Sequence, residues 1–195
     1  MKTDIILSGV GGQGILSIAA VIGEAALEEG LYMKQAEVHG MSQRGGDVQS
    51  NLRISDKPVA SDLIPKGKAD LIISLEPMES LRYLPYLKEG GWLVTNSRPF
   101  INIPNYPDME LVNAELNKLP KKVVLDVEEI AKTVASARAA NIVMLGASAP
   151  FIDIAYHKIE DGIRRIFGRK GEDIVNMNLK ALKAGYDVAM DLQKK

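Results

Sequence analysis

Two stretches of the chain hold residue types whose spacing can do chemistry. The first is Gly9-Val10-Gly11-Gly12-Gln13-Gly14, in which Gly9, Gly11 and Gly14 fit G-x-G-x-x-G. Glycines at this spacing allow a tight turn and let the backbone approach a ligand closely. The first amides of a following helix then point at an anion, aided by the helix dipole. Gln13 adds an amide that can donate and accept. The second stretch runs from Glu37 to Asp47 and contains His39, Ser42, Gln43, Arg44, Gly45 and Gly46. Arg44 beside Gly45-Gly46 can present a guanidinium and free amides to a carboxylate or phosphate. Taken alone, these residues fit a nicotinamide dinucleotide, with Glu37 as the ribose-binding acid. Rival readings are a non-catalytic nucleotide-binding module and a turn that merely closes strand on helix. His39 is more often a structural hydrogen-bonding residue than a general acid or base, and no residue has the surroundings of a conventional catalytic dyad.

The elements that must position these residues follow from hydrophobic pattern. Asp4–Gly9 reads as a short buried strand. Ile15, Ile18, Ala19, Ile22 and Ala26 then recur at helical spacing, with Gly30 as a left-handed stop. Leu31–Val38 reads as a second strand, which implies a parallel pair joined by a right-handed crossover. On that reading the segment His39–Gly46 lies at the same end of the sheet as the glycine turn, the end where open α/β sheets bind ligands. Asp47–Ser55 alternates as a half-buried strand. Asp56-Lys57-Pro58 is a turn, with Val59-Ala60 starting a short returning strand.

Ala69–Ser74 is a further strand, and Pro77–Tyr86 begins as a helix. Gly90-Gly91 breaks the chain before a strand at Trp92–Asn96, with Trp92 in the core. A helix is expected over Met109–Leu119 and a strand over Lys122–Asp126. Asp126 with Glu129 resembles a capping pair for a helix running to about Ala139. Asn141–Ala149, Tyr156–Phe167 and Gly171–Gln193 read as the last helices. The expected fold is α/β: a Rossmann-like, mostly parallel sheet with helices on both faces, in a single domain over residues 1–195.

Composition sets limits on function. A chain of 195 residues with 46% hydrophobic and 25% charged residues fits one globular domain. The formal net charge of −1 lacks the basic field of a duplex nucleic-acid binder. There is no cysteine, so disulfides, thiol nucleophiles and cysteine-ligated zinc or iron–sulfur clusters are excluded. Only two histidines are present, and no metal site is expected. No apolar run reaches a signal-peptide core or a membrane span, so the chain is expected in the cytoplasm, without membrane contact. Neither a Walker motif nor a serine elbow occurs.

At this point the sequence resembles a known family. Gly9-Val10-Gly11-Gly12-Gln13-Gly14 followed by Ser42-Gln43-Arg44-Gly45-Gly46 is similar to the gamma-type domain of pyruvate and 2-ketoacid:ferredoxin oxidoreductases. Asn141-Ile142-Val143-Met144-Leu145-Gly146 agrees, as do Asn178, Ala181 and Gly185. The segment Glu37–Gly46 looks most like the beta subunit of the indolepyruvate-specific branch. Gamma subunits of pyruvate or 2-oxoglutarate enzymes are the alternative. The resemblance implies oxidative decarboxylation of an aryl 2-oxoacid to an aryl-acetyl-CoA, with electrons passed to ferredoxin. It implies a larger alpha subunit carrying thiamine diphosphate, Mg and 4Fe-4S clusters, so that no cofactor is firmly bound by this chain. The sequence itself lacks the Gly-Asp-Gly and Asn-Asn signature of a thiamine diphosphate site. Gly9, Gly11, Gly12, Gln13, Gly14, Ser42, Arg44, Gly45 and Gly46 are then expected to bind at or near the subunit interface, with coenzyme A phosphates as the anion.

Overall fold

The computed structural model describes residues 1–39 and 45–194, with His39 described by its backbone alone. Six strands form one mixed sheet: β1 (Lys2–Val10), β2 (Tyr32–His39), β3 (Asp47–Ser55), β4 (Ala69–Ser74), β5 (Leu87–Asn96) and β6 (Lys122–Leu125). Their order across the sheet is β2-β3-β1-β4-β5-β6. The pairs β1–β4, β4–β5 and β5–β6 are parallel, whereas β3 is antiparallel to both β1 and β2. The sheet is therefore mostly parallel, as the pattern predicts, with one correction. The strands β1 and β2 point the same way but are not neighbours, because β3 returns between them.

β1 is buried from Thr3 to Val10. A central strand covered on both faces reads as a continuous apolar run, and Ile5-Ile6-Leu7 is that run. Alternate residues feed two separate cores. Ile5, Leu7, Leu71, Ile73 and Val94 pack under α1 (Ile15–Glu28), α4 (Val127–Val134), α5 (Ala140–Ser148), α6 (Tyr156–Phe167) and α7 (Glu172–Leu192). Ile6, Ile72 and Leu93 pack on the other side, against Tyr83 after α2 (Pro77–Arg82) and against Val112 and Leu116 of α3 (Met109–Asn117). Helices thus cover both faces.

The cap signals are legible in detail. Gly30 has φ +70°, and the bonds Gly30 N to Leu27 O and Leu31 N to Ala26 O, both 3.0 Å, close α1 as a Schellman motif. Asp126 Oδ1 accepts from the Glu129 amide at 2.9 Å and starts α4. That helix stops at Val134 rather than near Ala139, and a 3₁₀ turn at Ala137–Ala139 follows. Ala135 leaves the helical region at φ −150°, and Ser136 caps the turn through Arg138 N at 3.4 Å.

Two local expectations fail for packing reasons. Val59-Ala60 does not form a strand. Arg53 and Lys34 instead take the carbonyls of Ser61, Leu63 and Ala60, so side chains rather than a ladder hold that segment. β5 runs through Gly90-Gly91, with a register shift opposite Ala69–Leu71. A Cβ on Gly91 would lie 3.0 Å from Asp70 O, so the glycine there serves close strand approach rather than a break. Trp92 sits at the rim of the core, half-buried, stacked at 4.2 Å on Phe151. Among the described residues no helix is long and apolar enough to cross a membrane.

Candidate functional site

The carboxyl ends of β1, β4, β5 and β6 meet at one rim, and a buried polar network ties them. At the end of β1 the chain folds back on itself. Gln13 N donates to Val10 O at 3.1 Å, and Gln13 Oε1 accepts from Val10 N at 2.7 Å. Gln13 Nε2 reaches across to Leu75 O at 3.0 Å. The amide expected to face a ligand is thus engaged within the protein at both ends, where it bolts the turn to the end of β4. Asn96, at the end of β5, donates to the same Leu75 carbonyl at 3.3 Å and accepts from Val127 N at 3.3 Å. Asn96 is fully buried, so these bonds offset its desolvation.

The glycines of the turn have separate reasons. A Cβ on Gly9 would lie 2.8 Å from Gln13 Oε1 and 2.9 Å from Ile15 Cδ1. Gly14 is left-handed at φ +88°, and a Cβ there would lie 2.7 Å from Asn141 Nδ2. Asn141 Nδ2 donates to Gly14 O at 3.2 Å, joining α5 to the start of α1. The Gly11 amide donates to Gly46 O at 2.9 Å, so the two stretches singled out in the sequence touch directly. Among the described residues the amides of Gly12, Gly14, Ile15 and Leu16 have no internal partner. The first turn of α1 holds no acidic residue, and its N-cap makes no side-chain bond. Such a helix start favours an anion.

Gly12 and Gly14 border a cavity of about 280 Å³, lined also by Gln13, Glu128, Arg138 and Asn141, with Leu75, Ala137 and Ala140. Arg138 is exposed and makes no ion pair among the described residues. Sequence reasoning missed it. No local signal marked it, because the hydrophobic pattern carries the helix on to about Ala139 and the turn at Ala137–Ala139 is seen only in the structure. Glu128 is held by Asn96 Nδ2 through both oxygens, at 3.2 and 3.0 Å. One cation and the helix amides therefore face one engaged carboxylate.

The second stretch is described only from Gly45 onward; Ser42 and Arg44, two of its expected site residues, lie outside the described residues. Gly45 O accepts from Asn102 Nδ2 at 2.5 Å. Tyr83 donates its hydroxyl to Asp47 Oδ2 at 3.3 Å. Burial first, then the charges of Asp47 and Glu79, raise the Tyr83 hydroxyl well above the ordinary tyrosine range. Glu79 is buried and its pKa is raised by desolvation, an effect that Arg82 at 2.8 Å opposes and Asp47 and Glu76 reinforce. Glu76 is fully buried and caps α2 through Glu79 N at 2.8 Å. It also accepts from Phe100 N at 3.3 Å and from the Tyr106 hydroxyl. Neither Glu76 nor Asn102 was picked out in the sequence; an acid directly before Pro77 was the one local sign of a cap.

This geometry weakens the dinucleotide reading. Glu37 belongs to β2, and with β3 between it and β1 the ribose position is displaced by one extra strand, about 10 Å from β1 instead of about 5 Å.

Residues 4–188 match the family model described as Pyruvate ferredoxin/flavodoxin oxidoreductase. The chain is 38% identical to indolepyruvate oxidoreductase subunit IorB of Archaeoglobus fulgidus, covering 97% of this chain and 96% of that one. Among solved structures, the gamma subunit of a keto/oxoacid ferredoxin oxidoreductase from Geobacter sulfurreducens superposes with a TM-score of 0.72 at 28% identity, covering 97% of this chain and 99% of that one. The 2-oxoglutarate:ferredoxin oxidoreductase of Magnetococcus marinus, solved with 2-oxoglutarate, coenzyme A and succinyl-CoA, shares the fold. Its TM-score is 0.77 at 22% identity, over all of this chain and 32% of that one.

Proposed function

The chain belongs to the pyruvate ferredoxin/flavodoxin oxidoreductase family, and from that premise we propose that it is the beta subunit of an indolepyruvate:ferredoxin oxidoreductase. The reaction is oxidative decarboxylation of an aryl 2-oxoacid, with the acyl group passed to coenzyme A and electrons to ferredoxin. The observation that carries the subfamily is near full-length likeness to a protein named as an indolepyruvate oxidoreductase subunit, at 38% identity. A 2-oxoglutarate synthase subunit from Methanocaldococcus jannaschii follows at 30%.

In this reading a larger partner subunit holds thiamine diphosphate, Mg and the 4Fe-4S clusters. The absence of any cysteine supports that division, since a cluster needs thiolate ligands. Thiamine diphosphate supplies the carbanion chemistry on the partner. The role of this chain is to bind and orient the acyl acceptor. The amides of Gly12, Gly14, Ile15 and Leu16, with Arg138, receive coenzyme A phosphates at the start of α1. Gln13 and Gly9 keep the turn closed, and Gly11 seats Gly46 beside it. A share in binding the same ligand is assigned to Ser42 and Arg44 on the family resemblance of Ser42–Gly46. Exposed Leu16, Phe100 and Ile101 at this rim give that partner apolar area to cover.

The test is reconstitution. The purified chain alone should reduce no ferredoxin with any 2-oxoacid and coenzyme A. Combined with its cluster-bearing subunit it should turn over, with kcat/KM for indolepyruvate above that for pyruvate or 2-oxoglutarate. Turnover by the chain alone, or a reversed substrate order, would overturn the assignment.

A further inference from the structure

The segment from residue 97 to 108 connects β5 to α3 across the rim and has no regular structure of its own. Its middle part, from Phe100 to Tyr106, is nevertheless fastened at three points among the described residues. Phe100 N and the Tyr106 hydroxyl both donate to Glu76, whose other oxygen already caps α2. Asn102, between those two anchors, turns its amide outward to Gly45 O at 2.5 Å. Gly46 O, one residue on, accepts from Gly11 N at 2.9 Å. The Gly45-Gly46 backbone is thereby held from two sides, by the glycine turn and by a side chain on the segment that Glu76 fastens at Phe100 and Tyr106. A buried carboxylate is costly unless hydrogen-bonded, and Glu76 collects three donors from separate parts of the chain. It acts as a junction, and its reach ends at Asn102.

We propose that Asn102, braced by Glu76, is a positioning residue that seats Gly45-Gly46 against Gly11 and so sets the geometry of the anion-binding rim. Its effect on coenzyme A binding rests on the function proposed above; its effect on the backbone does not. Asn102 suits the task because its Nδ2 reaches the carbonyl, while its buried Oδ1 makes no hydrogen bond among the described residues.

The test uses Asn102→Asp, which keeps the shape and replaces the donor with an acceptor, Asn102→Ala, and Tyr106→Phe as a milder variant that removes one anchor from the junction. On the full chain, trypsin cleavage between residues 44 and 45 reads how firmly Gly45 is held, because cleavage follows local opening. Both Asn102 variants should be cut there about tenfold faster, the equilibrium weight of roughly one hydrogen bond. Other tryptic sites should keep their rates, and Tyr106→Phe should fall between. Unchanged cleavage at this bond overturns the proposal. In the two-subunit enzyme the Asn102 variants should raise KM for coenzyme A about tenfold while kcat stays within about twofold, a split that a general loss of stability would not produce. Faster cleavage with an unchanged KM for coenzyme A would uphold the positioning role and count against coenzyme A at this rim.

Discussion

Gly12 and Gly14 sit two residues apart in the same turn, and their surroundings predict different tolerance. Both have positive φ, 104° and 88°, which costs a residue with a Cβ about 1–2 kcal/mol. Around Gly12 none of the described residues lies within 4 Å of an added Cβ, whereas at Gly14 the methyl would meet Asn141 Nδ2 at 2.7 Å. Gly14→Ala should therefore destabilise the chain by about 1–3 kcal/mol more than Gly12→Ala, because Asn141 must give up its bond to Gly14 O. Urea unfolding midpoints compare the two directly. Equal midpoints would show that Asn141 swings aside at no cost. The glycine spacing was legible in the sequence because it recurs at a fixed interval. The tasks of the individual glycines were not, since crowding at Gly14 comes from Asn141, far along the chain, and that at Gly9 from the way the folded turn brings back Gln13 and Ile15.

At the scale of elements, α5 and α7 meet through glycine. A Cβ on Gly185 would fall 1.9 Å from Val143 O, and one on Gly146 would fall 2.0 Å from Leu182 O. No rotamer relieves a clash with backbone, so the helices would have to separate. Gly185→Ala should cost about 3 kcal/mol or more and lower the melting temperature by several degrees. A melting curve that matches the native chain would refute this close crossing. The same contact explains why Asn141–Gly146 and the residues Asn178, Ala181 and Gly185 stand out together in the sequence. Asn178 and Ala181 are buried and small side chains let two backbones approach. Helix caps were equally legible, because Asp126 and Gly30 act on residues within a turn of themselves. The long β5 and the missing strand at Val59-Ala60 were not, because partners elsewhere in the chain decide each.

For the whole molecule, the rim that carries the glycine turn also exposes apolar side chains. Ile101 is 72% exposed and Phe100 45%, on a segment whose backbone Glu76 fastens. If the partner subunit covers this rim, Ile101→Asp should weaken association about tenfold or more while leaving the isolated chain's melting temperature unchanged. Titration of one subunit into the other by calorimetry measures this, and an unaltered affinity would place the interface elsewhere.

The amino-acid sequence by itself determined the α/β class, most element positions, the glycine turn and the absence of any thiolate ligand. These depend on local periodicity, on turn chemistry and on composition, which need no knowledge of distant contacts. Only the tertiary structure decided that β3 lies between β1 and β2, since hydrophobic pattern marks a strand but not its neighbour. It alone brought Gly46 to Gly11 and Asn102 to Gly45, and it alone showed Gln13 bound inward. Those contacts join residues tens of positions apart, and a polar side chain's partner is fixed by where the fold delivers it.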